Sequence, residues 1–430
     1  GIHTSFQLIK EGYKVIIIDS LSNSSLLNLE RLKRLSYLED NKYISNISFF
    51  KGDVRDINFI RKVFKESKDK GNKIDSVIHF AGLKSISESI KKPKKYWDVN
   101  VNGTINLISI MEQYQCHKIV FSSSASVYGN SLGKLIEENS KVNPVNVYGR
   151  TKTTVEIFLK DIFTRNPNSW RIACLRYFNP VGAHSSGLIG ENPKNKMNLF
   201  PVMCQVAKGF LKELEIFGVN WKTPDGTCIR DYIHVVDLAI AHLKTLDLIL
   251  KEEPQYLILN IGRGDGISVM EAVNTFMKTN NCEIPLCYKN VRPGDVPYLV
   301  ASNKLALNKL NWKPNYNLED MCSDAWRWIN LQNNGHKVEA WDCIDLIFPH
   351  LKSISGYQNL DNFKKNLVIF ESYRKLEKKI NLLDRNTVFI LFGTINSSGF
   401  ENIIELLNKK EMNYGIVYLA NLPNLKTNIT

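Results

Sequence analysis

Five short apolar runs in the first 180 residues each end on polar or small residues, and amphipathic stretches separate them. Val15-Ile16-Ile17-Ile18 ends at Asp19, and Ile47-Ser48-Phe49-Phe50 ends at Lys51-Gly52-Asp53. Val77-Ile78-His79-Phe80 ends at Ala81-Gly82, and Lys118-Ile119-Val120-Phe121 ends at Ser122-Ser123-Ser124. The run from Ile172 to Tyr177 ends at Phe178-Asn179-Pro180. Continuous apolar strands suit a sheet buried on both faces, and helical crossovers between them make the strands parallel. The pattern predicts an α/β fold: a doubly wound, Rossmann-like parallel sheet. In such a sheet ligands bind at the carboxyl ends of the strands, where these polar residues sit.

The 430 residues exceed one typical domain. We expect a dinucleotide-binding domain over residues 1–182, incomplete at its start. A smaller mixed α/β lobe is expected over 183–335, where Gly and Pro turns break the regular alternation. Residues 336–430 form an unassigned α/β tail. In it Val388–Phe392 and Tyr414–Ala420 read as strands, and Ser397-Ser398-Gly399 reads as the cap of a helix from Phe400 to Lys410.

No run of eighteen apolar residues and no basic-then-apolar leader is found, so neither a membrane span nor secretion is expected. The eight cysteines are scattered without a C-x-x-C pair, which reads as reduced thiols in a cytoplasmic protein without a metal site. The net charge of +13 is spread over Lys-rich helical stretches without aromatic platforms, so a solvated basic surface is favoured over nucleic-acid binding.

Asp19 follows Gly1 by eighteen residues and closes a strand. A dinucleotide fingerprint places a carboxylate about 20 residues past its glycines, for the adenosine ribose, and disfavours a 2′-phosphate. Gly1 then reads as the last glycine of a fingerprint whose strand and earlier glycines are not in this sequence. Any strand can end in Asp, so this half-motif is weak alone. Asp53-Val54 suits an adenine contact, although a plain turn Asp looks the same.

The strongest signal is a pair of segments, Ser122 to Gly129 (S-S-S-A-S-V-Y-G) and Tyr148 to Lys152 (Y-G-R-T-K). Residues four apart share a helix face, which brings the Lys152 ammonium near the Tyr148 phenol. A phenol with pKa about 10 is too weakly acidic for neutral pH. A cation about 4 Å away, at an effective dielectric near 20, favours phenolate by roughly 4 kcal/mol, about three pKa units. Tyr148 then becomes a proton acceptor for a hydroxyl, with Ser124 relaying the proton. A surface Tyr and Lys on an ordinary helix would show the same spacing.

With Val77 to Lys84 (V-I-H-F-A-G-L-K), Leu175 to His184 (L-R-Y-F-N-P-V-G-A-H), Gly226 to Asp237 (G-T-C-I-R-D-Y-I-H-V-V-D) and Arg292-Pro293-Gly294-Asp295, the chain resembles the UDP-galactose 4-epimerases of the extended short-chain dehydrogenases. The resemblance runs from Gly1 to about Gly335. It implies NAD held by Gly1, Asp19, Asn23, Asp53, Val54, Phe80, Ala81, Gly82, Lys84, Lys152 and Phe178. It implies proton chemistry by Ser124 and Tyr148 with Lys152. It implies a UDP-sugar held by Ser124, Tyr148, Asn179, Asn198, Leu199, Phe217, Arg230, Arg292 and Asp295. The partners implied are UDP-galactose and UDP-glucose, and by analogy a second copy of the chain.

Three departures stand out. The first strand and most of the phosphate loop are missing, which suggests an N-terminally truncated sequence. Val99 replaces a polar residue near the cofactor, and Asn100 stands by as a substitute contact. Leu299, at a position that helps set pocket size, favours glucose and galactose over N-acetylated sugars. A related dehydratase or decarboxylase remains an alternative, but a 4,6-dehydratase needs a Thr-Asp-Glu set where this chain has Ser124-Ala125-Ser126. A non-catalytic scaffold is the other alternative.

Overall fold

The computed structural model describes residues 1–129, 135–191, 198–292 and 295–333, together with strands in 367–370, 388–392 and 415–419. It divides into two compact units, Gly1–Asn333 and Asn334–Thr430.

The first unit begins with α1 (Ile2–Lys10), β1 (Val15–Asp19), α2 (Leu26–Glu39), β2 (Ile47–Lys51), α3 (Ile57–Asp69) and β3 (Val77–His79). Next come α4 (Ile86–Lys91), α5 (Pro93–Tyr96), a π-helical turn (Trp97–Asn102), α6 (Gly103–Gln113), β4 (Lys118–Ser124), α7 (Val147–Arg165), β5 (Arg171–Tyr177) and β6 (Asn179–Val181). The lobe contributes α8 (Leu199–Ala207), β7 (Leu214–Phe217), β8 (Ile229–Arg230) and β9 (Tyr232–His234). The chain continues through α9 (Val235–Lys251), β10 (Gln255–Ile261), β11 (Ile267–Ser268), α10 (Val269–Asn280), β12 (Leu286–Lys289), β13 (Tyr298–Leu299), α11 (Lys304–Leu310) and α12 (Leu318–Asn333).

All five apolar runs are strands, and they are parallel. Hydrogen bonds gather them into two ladders, β1–β2 and β10-β5-β4-β3. The β10 run, Gln255–Ile261, returns from beyond the lobe and pairs in parallel with β5 along its whole length. The apolar faces of the sheet bury Val120, Ala173 and Leu175 with Ile249 and Leu259 in one cluster. Phe121, Ile172 and Cys174 lie with Val155, Leu159 and Trp170 in another. The lobe has its own core of Phe200, Met203, Ile216, Phe276 and Met321.

The second unit contains β14 (Leu367–Phe370), β15 (Val388–Phe392) and β16 (Gly415–Leu419), a three-stranded parallel sheet in the order β14-β15-β16. The two strands expected in the tail are both there, with an additional one before them. The helix expected over 400–410 lies outside the described residues.

Two core histidines set an acid limit. His79 is 3% exposed and bonds Thr104, and His242 is fully buried and bonds the Leu238 carbonyl. Burial pushes both imidazoles down from 6.5 to about 3. The folded chain therefore keeps them neutral where the unfolded chain binds protons. Their stability contribution is full above pH 6.5 and is lost as pH falls through 6.5 toward 3, costing about 2 kcal/mol each at pH 5. His3 is lowered to about 3 in the same way, so urea unfolding at pH 7.5 and pH 5 should show this loss, and His242→Gln should remove about a third of it. Equal pH slopes in the two proteins would contradict it.

Candidate active site

Helix α7 starts where Asn146 turns its side chain back to accept the Gly149 N–H at 2.8 Å. This fixes the first turn over the end of β4. Tyr148 and Lys152 then lie one turn apart, facing the strand. The Ser124 hydroxyl donates to Ser126 Oγ at 3.2 Å and lies near enough to the Tyr148 phenol to favour its ionised form. The Lys152 ammonium donates to the Ser122 carbonyl at 2.7 Å and sits 4.8 Å from the Phe121 ring centre. Its distance to the Tyr148 ring centre is 5.9 Å.

One expectation is corrected here. Burial pushes the Tyr148 phenol above its ordinary range, and the neighbouring Ser124 hydroxyl only partly offsets this. The lysine does not appear among the groups that move the phenol, and its ammonium is engaged by the Ser122 carbonyl. Burial also pulls Lys152 itself down to about 8, against the opposing pull of the Glu156 carboxylate.

On the cofactor side, Asp19 ends β1, and its Oδ1 accepts the Leu21 N–H at 2.7 Å and the Ser24 hydroxyl at 2.8 Å. Oδ2 has no donor among the described residues. Asn23 is exposed in the following loop. Gly1 caps α1, and a Cβ there would stand 3.7 Å from the Phe80 ring. The Phe80 ring itself lies 4.8 Å from that of His242. At Gly82, after Ala81, a Cβ would press on Asn100 Oδ1 at 3.1 Å and approach Lys152 Nζ at 3.7 Å. That loop needs an absent side chain to keep its peptide close to the lysine. Lys84 pairs with Glu191 at 2.9 Å, Val54 is buried beneath Gly103, and Phe178 is buried beside Tyr128 and Leu299.

Two cofactor expectations are modified. Asn100 is buried in the π-helical turn, and its amide is engaged with the protein. It accepts the Leu83 N–H at 2.7 Å and donates to the Leu83 carbonyl and Thr151 at 3.1 Å each. It latches the loop to α7. Asp53 is held by Arg55 through both carboxylate oxygens, at 3.0 and 2.8 Å, which keeps its carboxyl below the usual range.

The substrate-side residues form a continuous line. Ser124 is the register partner of Tyr177, and Asn179 of Tyr232. Asn179 Oδ1 is buried with no partner among the described residues. Arg230 donates through Nη1 to the carbonyls of Ile229 and Val296, at 2.9 and 2.8 Å, which turns its Nη2 to within 3.7 Å of Asp295. The Arg292 guanidinium lies flat on Phe217, 3.6 Å from the ring centre, and its carbonyl accepts the Asp295 N–H at 3.1 Å. Asn198 and Leu199 open α8, with Asn198 donating to Glu191 at 3.4 Å. A separate cavity of about 830 Å³ borders Ile229, Ser268 and Tyr288 and includes none of these residues.

Several residues that shape the site were not anticipated. Phe121 and the Ser122 carbonyl seat Lys152, and Glu191 joins Lys84 to Asn198. Glu156 continues the stripe of Tyr148 and Lys152 at the same spacing of four, a signal present in the sequence.

The family model described as GDP-mannose 4,6 dehydratase matches residues 1–325. UDP-glucose 4-epimerase 2 of Arabidopsis thaliana is 42% identical over 341 residues, covering 79% of this chain and 95% of that one. The Bacillus subtilis UDP-glucose 4-epimerase is 42% identical over 338 residues, with 78% and 96% covered. The chain belongs to the UDP-glucose 4-epimerase family.

Solved epimerases agree in fold. The Bifidobacterium longum UDP-glucose 4-epimerase, in complex with NAD+ and UDP, is 40% identical with a TM-score of 0.71, covering 78% of this chain and 96% of its own. The Stenotrophomonas maltophila UDP-glucose-4-epimerase, with bound NAD and formylated UDP-arabinopyranose, is 39% identical with a TM-score of 0.73, covering 77% and 95%. At the end of β4 the chain reads Ser124-Ala125-Ser126, with no carboxylate among these three residues.

Proposed function

We propose that this epimerase-family chain interconverts UDP-galactose and UDP-glucose by transient oxidation at sugar C4. The single observation carrying this reading is the meeting of Tyr148, Ser124 and Lys152 at the carboxyl end of β4. As the phenolate, favoured by the Lys152 ammonium, Tyr148 takes the proton of the sugar 4-hydroxyl and becomes the phenol, with Ser124 bonded to both. Burial leaves the phenol too weakly acidic in the chain alone.

The residues fit NAD. Asp19 has a carboxylate oxygen available for a ribose hydroxyl, and Gly82 keeps a peptide edge clear beside Lys152. Phe80, Ala81, Lys84 and Phe178 complete that side. When bound, NAD supplies a hydride acceptor and a positive ring that further favours the Tyr148 phenolate. Arg230 and Arg292 grip the pyrophosphate as permanent cations. Phe217 and Leu199 border the uridine, and the unpaired Asn179 oxygen takes a ligand donor. Firm UDP contacts with few sugar contacts let the C4-oxidised sugar present its other face.

We also infer a homodimer, supported by Trp97, Ile105 and Ile157, exposed apolar side chains of the π-helical turn, α6 and α7. The seven cysteines among the described residues are all free, which fits a reducing compartment such as the cytoplasm. Among the described residues no helix is long and apolar enough to cross a membrane.

The test is incubation of the purified chain with UDP-galactose and NAD. UDP-glucose is the expected product. A 4-keto-6-deoxy product would establish the dehydratase alternative, and no turnover would favour the scaffold.

A further inference from the structure

Glu156 stands one turn beyond Lys152 on α7 and is 5% exposed. Its carboxylate accepts Arg176 Nε at 3.0 Å and Nη2 at 2.6 Å, and also the Ser123 hydroxyl. Ser123 and Arg176 are register partners across β4 and β5. Arg176 reaches on to the Tyr128 hydroxyl at 2.8 Å and the Glu138 carbonyl at 3.1 Å, and Tyr128 donates to Asn260 at 2.7 Å. One carboxylate thus ties α7 to the two strand ends that border the site.

Lys152 is fully enclosed and forms no ion pair among the described residues. The groups facing it are Tyr148 and Glu156 on α7, Phe121 and the Ser122 carbonyl on β4, Cys174 on β5, and His79 on β3, with Arg176 behind Glu156. Burial keeps the Cys174 thiol and the His79 imidazole neutral, so Glu156 is the anion of the set.

We propose that Glu156, locked by Arg176 and Ser123, is a positioning residue that keeps Lys152 charged and seated on the Ser122 carbonyl. A bare carboxylate would not serve as well. Unpaired, it would be expensive to bury, whereas the Arg176 fork holds it at a fixed distance from the lysine. The inference rests on the assignment of Tyr148 and Lys152 as the proton-accepting pair.

The test is the pH profile of kcat for Glu156→Gln and Ser123→Ala. Glu156→Gln keeps a hydrogen-bonding amide but removes the charge, so Lys152 should lose its proton at lower pH. The alkaline limb of kcat is expected to move down by about one pH unit, with KM for UDP-galactose changed less than about threefold. Ser123→Ala leaves the charge in place and should lower kcat without moving the limb. A Glu156→Gln protein with lowered Tm, lowered kcat and an unmoved limb would reduce Glu156 to a structural role and overturn the proposal. If that variant does not fold, Glu156→Gln/Arg176→Gln removes both buried charges. A downward shift of about half a pH unit is expected there, because losing the more distant Arg176 cation offsets part of the lost anion, and an unmoved limb overturns the proposal again. Failure of the underlying assignment looks different: Tyr148→Phe would then turn over like the parent chain.

Discussion

Tyr148→Phe is expected to lower kcat for UDP-galactose by about 10²- to 10⁴-fold while leaving the Kd for UDP within about threefold. The loss follows from position. The phenol is half-buried over the end of β4, beside Ser124, with Lys152 one turn away. Phenylalanine keeps the ring and its packing with Leu83 and Val147 but cannot accept a proton. The residues proposed to hold UDP, Phe217, Arg230, Arg292 and Asp295, belong to β7, β8 and the loop before β13, so UDP should bind the variant as before. Isothermal titration with UDP, beside a steady-state assay, separates the two quantities. Near-parental kcat would remove Tyr148 from the chemistry.

Arg230→Met should act in the opposite sense, weakening UDP by about 10²-fold and changing kcat by less than about tenfold. The Arg230 guanidinium is oriented before any ligand arrives, because the carbonyls of Ile229 and Val296 hold one of its nitrogens. Methionine keeps the apolar stem and loses the fork. Asp295, 3.7 Å from Arg230 Nη2, would then face a pyrophosphate without the intervening cation. A Kd within about threefold of the parent would show that Arg230 only braces β8. Arg230→Lys should recover part of the loss, since a point charge cannot reproduce two-pronged binding.

The parallel strands and the Tyr148–Lys152 pair were legible because both rest on short-range periodicity: β-branched runs between helices, and a spacing of four on one helix. What the sequence concealed was long-range. The run Tyr256 to Ile261 is as apolar as the others, yet nothing local says that it returns to lie beside β5. Arg176 sits in an apolar strand and meets Glu156, Tyr128 and Glu138 only after folding. The acidity of Tyr148 was misjudged for the same reason. Helix spacing brings two side chains to one face, but it does not disclose that the ammonium donates to the Ser122 carbonyl, or that burial raises the phenol. Asn100 was read as a cofactor contact from its place in the chain, and its engagement with the Leu83 peptide is visible only in three dimensions.

The most direct measurement follows hydrogen at C4. UDP-galactose carrying deuterium at C4 is incubated with the chain and NAD in ordinary water, and the UDP-glucose formed is examined by NMR. Deuterium should be retained at C4, because the phenol exchanges only the hydroxyl proton and the C4 hydrogen leaves and returns without meeting solvent. Replacement of that deuterium by solvent hydrogen, or the absence of UDP-glucose, would contradict the account.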